Sequence, residues 1–319
     1  MKKAALFLMI ILPLVSIGQH KKDNRMTHIL KNKNLEVHID LPLSNYQLSR
    51  FDWTGKITVV KFKSIPVSGV ERTDAVDANN FGSGFYNEFG IEMPVGFDEI
   101  KEGEWFTKIG VGVLKKESGQ YSFSKAYEIQ PANFTISTKP HKITIECKSE
   151  NCNGYSYVLR KEIELLESSF VIHYYLHNTG DKAISTNEYC HNFLAINKEL
   201  IGSQYILKFP FDIKPELFGA TVNPEEKVVL GQHEITFKNT PDEQFFFSNL
   251  SGDENVDAHW ELINTKSKIG ISETGSFTTN KVNLWGWKHV ISPELFYEIQ
   301  LKPGEETEWS RTYNIFETN

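Results

Sequence analysis

The sequence has no long basic run. Acidic residues outnumber Lys and Arg 41 to 34, giving a net charge of −7. That removes the clustered cations a phosphate backbone requires, so no nucleic-acid partner is expected. Past the first residues, no stretch is apolar enough to span a bilayer. Cysteine is scarce. Three residues, Cys147, Cys152 and Cys190, cannot build a disulfide framework. Helical periodicity is sparse, and no internal repeat of roughly 20–50 residues is present. Gly-x-Ser-x-Gly, the phosphate loop, the dinucleotide fingerprint and His-Glu-x-x-His are all missing. Those gaps remove the commonest serine-hydrolase, nucleotide and zinc-protease chemistries.

What is present begins with a leader. Met1-Lys2-Lys3 is a positive start, residues 4–15 are apolar, and Ser16-Ile17-Gly18 ends on a small residue. This predicts a secretory signal peptide over residues 1–18, cut before Gln19. The expected product is one domain over residues 19–319, exported to the periplasm or beyond, with no membrane attachment after cleavage. In an oxidising compartment Cys147 and Cys152, which bracket Lys-Ser-Glu-Asn, would be either a small disulfide loop or two free thiols. Cys190 and His191 are adjacent. Neighbours on a strand point to opposite faces, so they do not form a nucleophilic pair.

From residue 31 onward the pattern is short and alternating. Residues 35–41, 46–53 and 56–62 read as strands, the last two as a hairpin around Asp52-Trp53-Thr54-Gly55. Residues 71–84, rich in Asp, Asn and Gly, read as a long loop. Further strands are expected at residues 121–129, 133–138, 142–148, 155–165 and 169–177, and on to residues 308–316. Short turns fit 98–104 and 213–218. Some fifteen or more short strands predict an all-β protein, a large antiparallel sandwich.

The aromatic share, 13%, points beyond packing, because Trp53, Trp105, Trp285 and Trp287 fall near turns. Indoles stack on the apolar faces of sugar rings, and Asn, Lys and His bond to hydroxyls. Asn87, Trp105, Lys108, Asn192, Trp285, Trp287 and His289 are therefore candidates for holding a sugar or oligosaccharide. Asn87, Glu88 and Lys108 also fit a bent strand with solvated charges, and each Trp also fits a core. The acidic stretch Asp253-Glu254-Asn255-Val256-Asp257 lacks the full calcium-loop pattern, and no metal site is expected. His191, in Asn187-Glu188-Tyr189-Cys190-His191-Asn192-Phe193, is either a general acid or base on a strand or a hydrogen-bonded core histidine.

The order of several segments resembles the galactose mutarotase-like superfamily, the aldose 1-epimerases and their relatives, over residues 35–316. The segments are Arg50-Phe51-Asp52-Trp53-Thr54-Gly55, Gly84-Phe85-Tyr86-Asn87-Glu88-Phe89-Gly90, Lys108-Ile109-Gly110-Val111-Gly112, the His191 stretch, and Pro303-Gly304-Glu305 before Trp309. The resemblance implies an antiparallel β-supersandwich and a sugar-anomer isomerase needing no metal or organic cofactor. A noncatalytic sugar binder, or a glycan hydrolase or lyase on the same fold, is the alternative. His191-Asn192-Phe193-Leu194 falls where the family has His-x-Tyr-Phe-Asn-Leu, which implies His191 as the acid. Gly84-Phe85-Tyr86-Asn87 resembles the family's Gly-Arg-x-x-Asn without the arginine, and a second family histidine falls near Lys108. The family's Leu-Glu-Pro is replaced by Leu284-Trp285-Gly286-Trp287, so the base must come from elsewhere. Glu294 and Glu88 are the candidates.

Overall fold

A computed structural model describes residues 26–318. The predicted leader lies outside the described residues. Among these, 23 strands and four single 3-10 turns make up the regular structure. Two ten-stranded antiparallel sheets face each other, and a three-stranded sheet, Trp105–Lys108, Gly112–Lys115 and Ile129–Pro131, lies beside them. This is the antiparallel sandwich that the alternating pattern predicted.

The first sheet carries, side by side, Lys56–Phe62, Phe85–Phe89, Ile184–Asn192, Val290–Leu301, Val282–Trp287 and Phe245–Phe247. The second is built around Val256–Asn264, Ile269–Thr279, Glu306–Glu317, Ser169–Asn178 and Tyr157–Leu165. One apolar core, including Phe85, Phe170, Leu284, Leu262 and Ile315, joins their inner faces. A second, smaller cluster of Tyr46, Phe51, Tyr86, Phe106 and Tyr127 lies on the other side of the first sheet. Burying apolar surface on both faces explains why central strands such as Phe85–Phe89 are buried at every position.

Two expected strands are not strands. Residues 46–53 are irregular. The Asp52 and Trp53 amides donate instead to the carbonyls of Asn87 and Gly110, and the Asp52 carboxylate accepts from the Thr54 amide and hydroxyl. A side chain that satisfies nearby donors replaces ladder pairing. Gly110 permits this approach: its φ is +78°, and a Cβ there would lie 2.3 Å from Asp52 Oδ1. In residues 121–129, only Ile129 enters a strand, because Tyr121 and Tyr127 stack on each other in the small cluster instead of alternating. The three cysteines are free. Cys147 is buried beside the Tyr157 hydroxyl, and the Cys152 thiol donates to the Trp105 carbonyl. Of the two readings left open for Cys147 and Cys152, the structure has the thiols.

Candidate functional site

Strand alternation sorts the candidate residues. In Ile184–Asn192, Glu188, Cys190 and Asn192 face the second sheet, while Tyr189 and His191 face out. Across the ladder, Tyr189 pairs with Glu88, Cys190 with Asn87 and His191 with Tyr86. Directly opposite residues share a face, so Glu88 and Tyr86 turn outward and Asn87 turns inward.

The outward face carries a cavity of about 710 Å³. Its floor includes His191, Glu294, Tyr189 and Trp285, and its rim includes Arg72, Phe81, Phe123 and Lys281. His191 Nε2 lies 3.3 Å from Glu294 Oε1. Ser292 Oγ lies 2.6 Å from His191 Nδ1 and 3.4 Å from Glu294 Oε1. Ser292 and Glu294 are two apart on one strand, which puts both on the same face as the histidine. The imidazole is stacked on Phe193, with 4.1 Å between ring centroids, and the Trp285 indole meets it edge-on at 5.4 Å. Trp285 reaches this face because Gly286 between the two indoles turns inward. A Cβ at Gly286 would strike the Phe245 ring at 2.3 Å.

Charge is set by a second layer. Arg50 Nε donates to Glu88 Oε2 at 3.1 Å, and its Nη1 donates to Glu71 Oε1 at 2.9 Å. The Tyr189 hydroxyl donates to the same Glu88 oxygen at 2.7 Å. The guanidinium is sandwiched between the Phe51 and Phe123 rings, 4.5 and 4.6 Å from their centroids. Burial, aided by Arg50, pushes the His191 pKa well below the usual imidazole range. Burial also raises Glu294 to about 8, against the pull of Arg50. At neutral pH the pair is therefore an uncharged imidazole beside a protonated carboxylic acid. Two hydrogen-bond arrangements satisfy it. In one, Glu294 donates to Nε2 and Nδ1–H donates to Ser292. In the other, Nε2–H donates to Glu294 and the Ser292 hydroxyl donates to Nδ1.

The remaining candidates are dispersed. Glu88 is fully buried as the counter-ion of Arg50, behind the cavity floor. Lys108 lies behind it, 3.8 Å from Glu88 Oε1, and donates to the Phe89 carbonyl and the Tyr121 hydroxyl. Desolvation lowers its pKa to about 8. Trp287 and His289 sit beyond the rim. The Trp287 ring lies 5.3 Å from the Arg72 guanidinium, and His289 Nε2 donates to the Val70 carbonyl. Trp105 belongs to the three-stranded sheet, with Lys115 over its ring, away from the cavity. Asn87 and Asn192 are bonded between the two sheets: Asn87 donates to Glu188 and Tyr174, and Asn192 donates to Glu273 and accepts from Tyr313. Arg50, Ser292, Arg72, Lys281 and Asn283 were not among the candidates. Ser292 was legible from its spacing to Glu294. Arg50 and Arg72 come from irregular segments that no periodicity places.

No family model matches the sequence, and no curated protein matches it. Solved structures do. A galactose mutarotase related enzyme from Lactobacillus acidophilus is 12% identical, with a TM-score of 0.55 over 92% of this chain and 98% of that one. A galactose mutarotase-like protein from Lactobacillus casei ATCC 334 is 10% identical, with a TM-score of 0.55 over 91% and 100%. An aldose epimerase homologue from C. elegans is 10% identical, with a TM-score of 0.50 over 92% and 100%. The order of segments in the sequence and the paired sheets agree with these likenesses: the chain has the galactose mutarotase-like fold.

Proposed function

We infer that the protein is an exported, aldose 1-epimerase-like catalyst that interconverts the anomers of a reducing sugar in the cavity over His191 and Glu294. The observation that carries this is the 3.3 Å contact between His191 Nε2 and Glu294 Oε1 in the cavity, with burial favouring the uncharged form of each. Mutarotation moves two protons at two oxygens bonded to the same carbon. An acid and a base in contact match that requirement, whereas paired-carboxylate glycoside hydrolysis wants carboxyl groups roughly 5–9.5 Å apart across the bond.

The proton roles follow from the charge states. His191 Nε2 takes the proton of the C1 hydroxyl while Glu294 gives its proton to the ring oxygen. The bond from C1 to the ring oxygen breaks, leaving an open-chain aldehyde, an imidazolium and a carboxylate. Rotation about C1–C2 and reclosure on the other face return both protons. These roles reverse those implied by the resemblance, since at neutral pH the carboxyl carries the extra proton. In the arrangement where Nδ1–H donates to Ser292, Nε2 carries no proton, and it serves as the base once the sugar takes the place of Glu294 as its partner. Trp285 offers an apolar wall for the ring. Arg50, neutralised by Glu88 and Glu71, favours the carboxylate formed in the open-chain state.

Polarimetry and NMR exchange between anomers, run across a panel of aldoses, test this. His191→Ala and Glu294→Gln should each cut the catalysed rate by roughly 10²–10⁴-fold. Full activity in either variant would sink the assignment. Sugar binding that survives with no exchange in the wild type would mark the cavity as a binding site alone.

A further inference from the structure

The cavity does not end at the reactive pair. Glu92, Phe246, Lys281 and Asn283 line both it and a neighbouring bay of about 490 Å³, so the two form one trough. The sheet register explains its course. Asn283 lies directly opposite Glu294, and Phe246 lies directly opposite Trp285. Opposed residues stand on the same face, one strand spacing apart, about 4.8 Å. The row from His191 through Glu294 to Asn283 therefore runs across the strands and leads away from the reactive end.

Asn283 is built into this row. It is buried, and its Oδ1 accepts from the Asn249 amide at 3.0 Å, which fixes the orientation of the side chain. Its Nδ2 makes no hydrogen bond among the described residues and is left to the trough. Beyond it the bay offers Ser248, Asp253, Asn280 and Glu298, with the Phe246 ring on the shared wall. Hydroxyl, amide and carboxylate groups around an aromatic face are the recognition chemistry of a saccharide. Size points the same way. Pockets for drug-sized ligands run to about 300–1,000 Å³. One sugar ring is smaller than such a ligand, yet the first cavity alone lies high in that range.

We propose that the trough is a tract for a reducing oligosaccharide, its reducing-end unit over His191 and Glu294 and its next units lying along Asn283 and Phe246 into the bay. This rests on a sugar occupying the first cavity, and the test separates the two claims. Anomer exchange at the reducing end is measured by NMR for matched series: glucose with maltotriose and cellotriose, galactose with β-1,4-galactotriose, mannose with mannotriose, xylose with xylotriose. In at least one series the trisaccharide should exceed its monosaccharide in kcat/KM by about tenfold or more. The gain should fall below about threefold in Asn280→Trp and in Ser248→Trp, two bulky substitutions at the bay whose side chains are not core. Monosaccharides preferred, or equal to their trisaccharides, in every responding series overturn the tract and leave the mutarotation assignment standing. A trisaccharide gain that both bay variants retain also overturns it. No exchange and no binding in any series overturns both.

Discussion

The two faces of the strand Ile184–Asn192 carry similar groups put to opposite ends. Inward, Glu188 and Glu273 hold Arg311 between them at 2.7 and 2.5 Å, all three fully buried. Each carboxylate gathers more donors. Glu188 accepts from Asn87 and Trp309, and Glu273 accepts from Asn192 and Trp260. Outward, Glu294 is almost as buried, yet within the chain it meets a distant serine hydroxyl and a neutral imidazole. The inner carboxylates are saturated with donors, so they are structural. The outer one is left short of donors, so it keeps its proton and has it to give. Burial is common to both faces and raises the pKa of the inner Glu273 as it does that of Glu294, but Arg311, Asn192 and Trp260 pull Glu273 back down. The difference lies in how many donors surround the carboxylate.

The widest way to break this comparison is to remove the inner cation. Arg311→Met leaves two carboxylates buried without their partner. Breaking a buried pair in this way costs about 3–5 kcal/mol. Urea unfolding should show that loss, or a protein that no longer folds. Glu294→Gln in the same assay should move the other way and stabilise at pH 7, because it removes a group whose folded environment resists ionisation. If both substitutions destabilise alike, the two faces are not different in kind.

A pH series sharpens the second half of that contrast. Glu294 is raised to about 8 in the folded protein, against 4.5 for the free side chain. Its contribution is therefore fully present below about pH 4.5 and is lost as pH rises through 8, while the unfolded chain ionises freely. His191 is shifted the opposite way and costs stability as pH falls below the ordinary imidazole range. The stability difference between Glu294→Gln and wild type should widen in the variant's favour from pH 5 to pH 8. Its slope should approach about 1.4 kcal/mol per unit at most. A flat difference would mean that Glu294 is already ionised at pH 5. Catalysed exchange should decline above about pH 8, where the carboxyl loses the proton it donates.

Much of the sandwich was legible in the sequence because a half-buried sheet writes its period directly. Residues 35–41, 142–148 and 169–177 alternate in sequence and in burial. The segments that failed, 46–53 and 121–129, are rich in aromatics that pack into the smaller cluster, where side-chain anchoring overrides alternation. At the site, the same alternation that places His191 outward sends Asn87 and Asn192 inward. Which face of a strand is which is not written in one strand alone. It is fixed by register with its neighbours, and the contact between His191 and Glu294 spans 103 residues of sequence. Arg50 was out of reach for a further reason: it enters from an irregular segment, held by Glu88 and two rings.

Trp285 should give the smallest effect of the set, and the one that best separates the two uses of the outer face. Its indole is half-buried, with Nε1 donating weakly to Gln244 Oε1 at 3.3 Å and its edge against His191. If the ring is wall for a sugar, Trp285→Phe should keep most of the stacking, and Trp285→Ala should forfeit about 1 kcal/mol of binding, the scale of one aromatic contact. That is roughly a fivefold rise in KM with kcat little changed, since a ring face holds ground state and transition state alike. If the indole instead positions His191, the loss falls on kcat, and the acidic limb of the pH profile moves up as the imidazole becomes better hydrated. Steady-state exchange kinetics across pH 5 to 9 distinguish the two outcomes. A KM effect leaves the polarised His191 and Glu294 pair as the source of rate, while a kcat effect would make the aromatic wall part of what keeps that pair uncharged.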